Sequence, residues 1–368
     1  MKRIVFVIDK LSTGGAERVA AAIANEICEI QGYEAYVITY ADKEDKEYFL
    51  SQKVYRYSIA SVRYGRLRTI MYKRRTLRRL LKEIDPYCVC SLTIPKTNVV
   101  LMSAIRKRNY PVILSERNDP ARFPVEKSMR IARDYMYEKC DGMVFQTTGA
   151  KEYFSKSIQA KSAVIPNPLT ARLPERFAGE REHKIVNFCR IEPQKNLKML
   201  INAFQRIAKD FPNYTLEMWG EGSQKDELQR YVDSIGLNDR VLFHEYSGDI
   251  HNEIRKAALY VSSSDFEGIS NSMLEAMAIG LPAICTDCPP GGARATIDDG
   301  INGRLAPVGD EEALAETMRD VLSDLNKMET YSKNAAKLKE KLRADMVAKE
   351  WLTVIEETRK TWTSKKES

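Results

Sequence analysis

Histidine is scarce in this chain: His183, His244 and His251 are its only three among 368 residues, and each stands alone. Sites built on imidazole need ligands at close spacing, so no bound metal is expected. Cysteine offers no framework either. The seven thiols are odd in number and irregularly placed, which points to reduced thiols in a cytoplasmic setting. Cys285-Thr-Asp-Cys288 has redox-motif spacing, but no second pair completes a zinc site. Long apolar runs are missing as well. No stretch reaches the roughly eighteen apolar residues of a membrane span, and the opening MKRIVFVIDK holds a run too short for a signal-peptide core. The chain is expected to be neither secreted nor membrane-spanning. Neither half begins with the G-x-G-x-x-G of a dinucleotide site, which argues against a nicotinamide-dependent oxidoreductase.

What is present is an ordinary globular composition, 43% hydrophobic and 30% charged, on a chain long enough for two domain cores. Short apolar runs alternate with helical patterns: IVFVI, AYVIT, YCVCS, PVILS, GMVFQ and SAVIP, then KIVNFCR, YTLEMWG, RVLFHE, ALYVSSS and LPAICTD. Such alternation predicts parallel sheets covered by helices. The proline-rich, charged stretch from Ile165 to Lys184 interrupts the periodicity as a linker does. The expected division is 1–170 and 171–344, two Rossmann-like α/β domains, followed by 345–368. In that last piece Val347, Trp351, Val354 and Ile355 share a helical face, so a packed amphipathic helix is expected.

Open α/β sheets bind ligands at the carboxyl ends of their strands, and four of those loops carry unusual residues. LSTGGAERVA places Gly14 and Gly15 ahead of a helix, where backbone N–H groups can approach an anion. NFCRIEPQKNL brackets Pro193 with Arg190 and Lys195, two cations suited to a diphosphate. EMWGEGSQKDELQ contains the turn Gly220-Glu-Gly222. SSDFEGISNSMLEAMAIGLP sets Glu267 before a helix and Glu275 inside it. Ser272-Met-Leu-Glu275 fits a capping box with Ser272 as N-cap, which leaves Glu267 and the turn Gly268 to Asn271 unexplained. A carboxylate beside an anion-binding helix start suits a phosphate with a sugar attached.

Glu267 and Glu275 form E-x7-E, and with RIEPQKN, GEG, GGAER and IPNP the chain resembles the family 4 retaining glycosyltransferases over nearly its whole length. SERNDP and CPPGGARATIDDGINGRL resemble bacterial members that extend lipid-linked oligosaccharides for capsule, exopolysaccharide or glycan assembly. The resemblance implies a GT-B fold, two Rossmann-like domains whose parallel sheets face a central cleft, with the acceptor on the first domain and the nucleotide sugar on the second. It implies that Glu275 holds the ribose and Glu267 contacts the donor hexose. Arg190 and Lys195 would neutralise the diphosphate, while Gly268, Ile269, Ser270 and Asn271 present backbone donors. Gly220 and Gly222 belong to the donor side, and Gly14 and Gly15 would close on the phosphates from the first domain. The acceptor side falls on Glu116, Arg117 and Asn118, where many relatives carry a histidine. The expected co-substrate is a nucleotide-diphosphate sugar, UDP rather than GDP-mannose, with no other cofactor and no metal.

The segment VRYGRLRTIMYKRRTLRRLLK, from Val62 to Lys82, holds nine Arg or Lys and no acid. Leu67, Ile70, Met71, Leu77, Leu80 and Leu81 recur at helical spacing, predicting an apolar stripe that packs on the sheet with cations outside. The Arg63–Lys82 face is expected to meet anionic lipid on the inner side of the plasma membrane. Nucleic-acid binding is the competing account of the basic helix and the net charge of +7. It explains neither E-x7-E nor the glycine loops, so no nucleic-acid partner is expected.

Overall fold

A computed structural model describes residues 1–12, 14–59, 65–105, 108–169 and 172–367, without the side chain of Arg66. Arg63, at the head of the expected lipid-facing segment, and Thr170, at the expected domain boundary, lie outside the described residues. The chain divides into two units, Met1–Pro168 joined by Arg343–Ser368, and Leu169–Leu342.

Unit 1 is built on seven parallel strands: β1 (Lys2–Ile8), β2 (Tyr33–Thr39), β3 (Tyr55–Ser58), β4 (Cys88–Ser91), β5 (Val112–Glu116), β6 (Gly142–Phe145) and β7 (Ser162–Val164). Their order is β3-β2-β1-β4-β5-β6-β7, so the winding reverses between β1 and β4. The connecting helices are α1 (Gly15–Ile27), α2 (Arg66–Ile84), α3 (Pro95–Ala104), α4 (Lys127–Lys139), α5 (Thr148–Glu152) and α6 (Lys156–Ala160). Because β1 is covered on both faces, it reads as a continuous apolar run. Ile4, Phe6 and Ile8 pack towards α1, while Val5 and Val7 join Leu77, Leu101 and Met136 of α2, α3 and α4 on the other face.

The helix that ends the chain, Ala344–Glu367, lies on the α1 side of this sheet. Val347, Trp351 and Ile355 are fully buried there, with the Trp351 ring edge-on to Phe6 at 6.4 Å between centroids. One carboxylate pins it: Glu356 accepts from Lys2 and Tyr33 on one oxygen and from Tyr87 on the other, each at 2.7 Å.

Unit 2 repeats the design with six parallel strands, β8 (Glu182–Phe188), β9 (Thr215–Trp219), β10 (Val241–His244), β11 (Ala257–Ser262), β12 (Ala283–Thr286) and β13 (Arg304–Ala306), in the order β10-β9-β8-β11-β12-β13. The helices that bear on the site are α7 (Leu197–Ile207), α8 (Lys225–Ser234), α9 (Ile250–Ile254) and α10 (Asn271–Ala278). Two strands escape the sequence reading, β3 and β13. β3 is an edge strand with three of its four residues exposed, and β13 is three residues long, so neither leaves an apolar run.

The stripe expected on α2 is only half right. Leu77, Leu80, Leu81 and Ile84 are buried, but Leu67, Ile70 and Met71 are exposed. The apolar face of α2 meets the sheet only in its second half.

Candidate active site

In unit 2 the loops after β8, β9, β11 and β12 are stitched to one another by backbone groups. The Ile191 amide donates to the Glu221 carbonyl at 2.9 Å, and the Gln224 amide to the Ile191 carbonyl at 3.1 Å. This closeness is why the turn needs glycine. A Cβ on Gly220, whose φ is +140°, would lie 2.0 Å from the Cys189 carbonyl oxygen, and one on Gly222 would lie 2.1 Å from that of Ile191. Glu192 completes the join, accepting from the Ser223 hydroxyl at 2.6 Å and its amide at 3.1 Å.

The same β8 loop is tied to the loop after β11. The Asp265 amide donates to the Gln194 carbonyl at 3.0 Å, and the Gln194 side chain to the Phe266 carbonyl at 2.8 Å. Asn196 caps α7 from a left-handed conformation, φ 44°, and its side-chain amide donates to Asp265 at 2.8 Å. Between these ties Lys195 is buried and forms an ion pair with Glu267. Burial works against the ammonium, but the Glu267 carboxylate outweighs it, and the Lys195 pKa sits above its usual value. The loop after β12 braces the other side of Glu267. The Glu267 amide donates to Pro289 at 3.0 Å, and a Cβ on Gly292 would strike the Gly268 carbonyl. A narrow recess lies here, lined by Glu267, Gly268, Ser270 and Thr286 among others.

Helix α10 departs from the capping box. Ser270, not Ser272, is its N-cap, accepting from the Met273 amide at 3.4 Å. Glu275 therefore sits beyond the first turn. It is buried and meets the His251 ring, Nε2 to Oε2 at 3.0 Å. His251 comes from α9 and stands edge-on to Phe188. The sequence reading passed over it because a single histidine carries no spacing signal. Arg190 is exposed, and its guanidinium makes no ion pair among the described residues. The structure thus draws Arg190, Lys195, Gly220, Gly222, Glu267, Gly268, Ile269, Ser270, Asn271 and Glu275 to the carboxyl edge of one sheet.

The matching edge of unit 1 holds a different set. Gly14 and Gly15 are exposed at the head of α1, with the Glu17 carboxylate folded against Gly14. Burial, aided by the nearby Asp9, pushes the Glu17 pKa up to about 7. Asp9 follows β1 and accepts from Thr97 at 2.5 Å and from the Ile94 amide at 3.2 Å; burial raises its pKa too. Arg117 donates to Asn167, and burial pulls its pKa down to about 10. Asn167, from the IPNP stretch, also accepts from Gln146 at 2.6 Å.

Glu116 proves to be an internal brace. Its carboxylate accepts from the amides of Arg117 and Asn118 at 2.9 and 3.2 Å and from the Tyr137 hydroxyl at 3.0 Å, with Arg133 at 3.9 Å. Burial raises its pKa against the pull of Arg133. Of the three acceptor-side candidates, then, Arg117 and Asn118 are half-buried, while Glu116 is buried and shapes their loop.

Comparison with known proteins places this geometry. The family described as Glycosyltransferase Family 4 matches residues 13–172, and the one described as Glycosyl transferases group 1 matches residues 173–338. A Campylobacter jejuni protein named GalNAc-alpha-(1->4)-GalNAc-alpha-(1->3)-diNAcBac-PP-undecaprenol alpha-1,4-N-acetyl-D-galactosaminyltransferase is 26% identical over 365 residues, covering 98% of this chain and 99% of its own. Among solved structures, sucrose-phosphate synthase from Thermosynechococcus elongatus has a TM-score of 0.82 at 16% identity, over 99% of this chain and 100% of its own. Anabaena HepE in complex with UDP and glucose has a TM-score of 0.79 at 18% identity, with the same coverage. Two parallel-sheet α/β units and two family matches that together span residues 13–338 lead to one conclusion: the chain belongs to glycosyltransferase family 4 and has the GT-B fold.

Proposed function

We propose that this protein transfers a hexose or N-acetylhexosamine from a nucleotide-diphosphate sugar, with UDP as the carrier, to a lipid-linked saccharide in bacterial glycan assembly. The configuration at the anomeric carbon is retained and no metal ion takes part. The observation that carries the reading is the buried Lys195–Glu267 pair, held where four strand-end loops of unit 2 meet the head of α10. A buried ammonium needs a counter-charge. Before the donor arrives Glu267 supplies it; with the donor bound, the diphosphate takes that place and Glu267 turns to the sugar.

Lys195 and the exposed Arg190 then stabilise the charge that grows on the diphosphate as its bond to the anomeric carbon breaks, the role a divalent cation fills elsewhere. Glu275 receives the ribose hydroxyls, oriented by His251. An α-linked donor would yield an α-linked product. The UDP and glucose bound by HepE and the PP-undecaprenol acceptor in the Campylobacter relative's name support these assignments. Unit 1 would hold the acceptor, and the basic outer face of α2 would face anionic lipid on the cytoplasmic side of the membrane.

A thermal-shift series with UDP, GDP, NAD and oligonucleotides tests the donor class. UDP is expected to raise Tm. Stabilisation by GDP instead would move the donor to GDP-mannose, and stabilisation by oligonucleotides alone would end the reading. Transfer from a panel of UDP-sugars to membrane extract is expected to survive EDTA, and its loss in EDTA would overturn the metal-free mechanism.

A further inference from the structure

The connection from β2 to β3, residues 40–54, contains no helix or strand, and ordered loops of this length usually carry function. It is tied at three points to the loop after β1. The Ala41 amide donates to the Asp9 carbonyl at 2.9 Å, the Tyr48 amide to the Leu11 carbonyl at 2.8 Å, and the Tyr48 hydroxyl to the Gly14 carbonyl at 3.1 Å. Further bonds hold this strap in place. Asn25, on α1, donates to the Phe49 carbonyl at 2.9 Å and accepts from the Ser51 amide at 2.8 Å. Arg56 of β3 grips the Glu47 carboxylate with two bonds, at 2.6 and 2.9 Å, and both side chains are largely buried. The Tyr48 ring, half-buried, packs against the core under α1.

The turn that the strap reaches has little to fix it from within. Successive glycines lose more conformational freedom than any other pair when ordered. Gly14 is the N-cap of α1, at φ 112° and ψ 153°, and glycine has no side chain to cap with. The first helical bond, from the Arg18 amide to the Gly14 carbonyl, is long at 3.4 Å. A peptide unit is planar, and its C=O and N–H point opposite ways. Whatever holds the Gly14 carbonyl therefore also aims the Gly15 N–H, a free backbone donor at the start of α1. The Tyr48 hydroxyl does this from 34 positions away in the sequence.

We infer that Tyr48 is a positioning residue: its hydroxyl, delivered by the strap, holds the Gly14–Gly15 turn in the conformation that presents the Gly15 N–H to an anion. This rests on the reading of Gly14 and Gly15 as donors to the phosphates of the nucleotide sugar, and it adds the residue that sets them. Tyr48 acts through the Gly14 carbonyl and not by touching substrate.

Tyr48→Phe keeps the ring and removes only the hydroxyl. In hydrogen exchange on the full-length protein, the amides of residues 14–19 should exchange roughly fivefold faster, the worth of about one hydrogen bond, while the rest of unit 1 exchanges as in wild type. Asn25→Ala frees the strap from α1 without altering the turn, and should loosen the same amides. In the transfer assay Tyr48→Phe should lower kcat roughly fivefold with the KM for the UDP-sugar little changed. The rise in Tm caused by UDP should be kept, because the proposed UDP site lies in unit 2. Unchanged exchange at residues 14–19 in Tyr48→Phe overturns the inference. A rise spread evenly over unit 1 does so too, by making Tyr48 a packing residue, and so does faster local exchange with full kcat. If wild type transfers no sugar, the proposed activity fails, and the exchange result alone decides whether Tyr48 sets the turn.

Discussion

The carboxyl edges of the two sheets solve the same problem by opposite means. Unit 2 builds its edge from backbone: carbonyls and amides of four loops bond to one another, glycines let them approach, and a single ion pair, Lys195 with Glu267, is sealed in the middle. Unit 1 builds its edge from side chains that are uneasy where they lie. Burial raises the pKa of Asp9 and Glu17 and lowers that of Arg117. A backbone-made edge keeps its shape over a wide pH range, which would suit the diphosphate site proposed for it. An edge of displaced pKa values answers to pH and to whatever charge is brought beside it.

The sharpest way to break this contrast is Lys195→Ala. If the pair is the charge-stabilising centre, kcat should fall roughly 10²-fold. Adding Glu267→Ala should restore thermal stability, since no carboxylate is left without its partner, yet leave activity low. Near-normal kcat in the single variant would reduce the pair to a structural contact. Next in size is Gly220→Ala. With the Cys189 carbonyl 2.0 Å from the new Cβ and φ at +140°, unfolding stability should drop by about 1–3 kcal/mol. Gly14→Ala shares a positive φ, +112°, but its Cβ would meet the end of the Glu17 side chain rather than a backbone carbonyl, so it should cost less. Equal losses in denaturant titrations would erase the distinction between the two edges.

His251→Ala should weaken UDP binding by roughly fivefold, about 1 kcal/mol for one lost hydrogen bond. The effect should shrink when 2′,3′-dideoxy-UDP replaces UDP, because His251 acts through Glu275. An undiminished effect on the dideoxy compound would assign the loss to packing. The smallest change is Glu17→Gln. The folded pKa of about 7 lies above the ordinary 4.5, so between these values the folded chain holds a proton the unfolded chain has released. Stability then falls as pH rises through that window and stays lowered above it. The variant should melt a few degrees higher than wild type at pH 8 and lose that advantage at pH 4. Parallel Tm–pH curves would refute the assignment.

How far the sequence reached follows the same division. Motifs marked the backbone-made edge because close approach restricts residue type: Gly220, Gly222, Asn196 and Pro193 stand where few others fit. The half-turn error at Ser272 arose from local pattern alone. Ser270 takes the cap, and Glu275 is drawn inward by His251, a partner 24 positions earlier that no local spacing reveals. Motifs contained Glu17 (GGAER), Arg117 (SERNDP) and Asn167 (IPNP) but did not reveal their grouping with Asp9, which comes of the sheet topology, or the shifted pKa values of Asp9, Glu17 and Arg117, which depend on burial. On α2 the period correctly gave a helix, but period cannot say how much of an apolar stripe the sheet is long enough to cover.

The helix at Ala344–Glu367 gives the molecule an order of assembly. Unit 1 receives its last layer, with Trp351 against Phe6 and Glu356 on Lys2, from residues made some 340 positions after β1. As the chain leaves the ribosome, unit 2 has all its strands while the first sheet still lacks the helix that packs beside α1 on one face. Unit 2 is in effect an insertion within unit 1, which closes only when Ala344–Glu367 returns to β1 and α1.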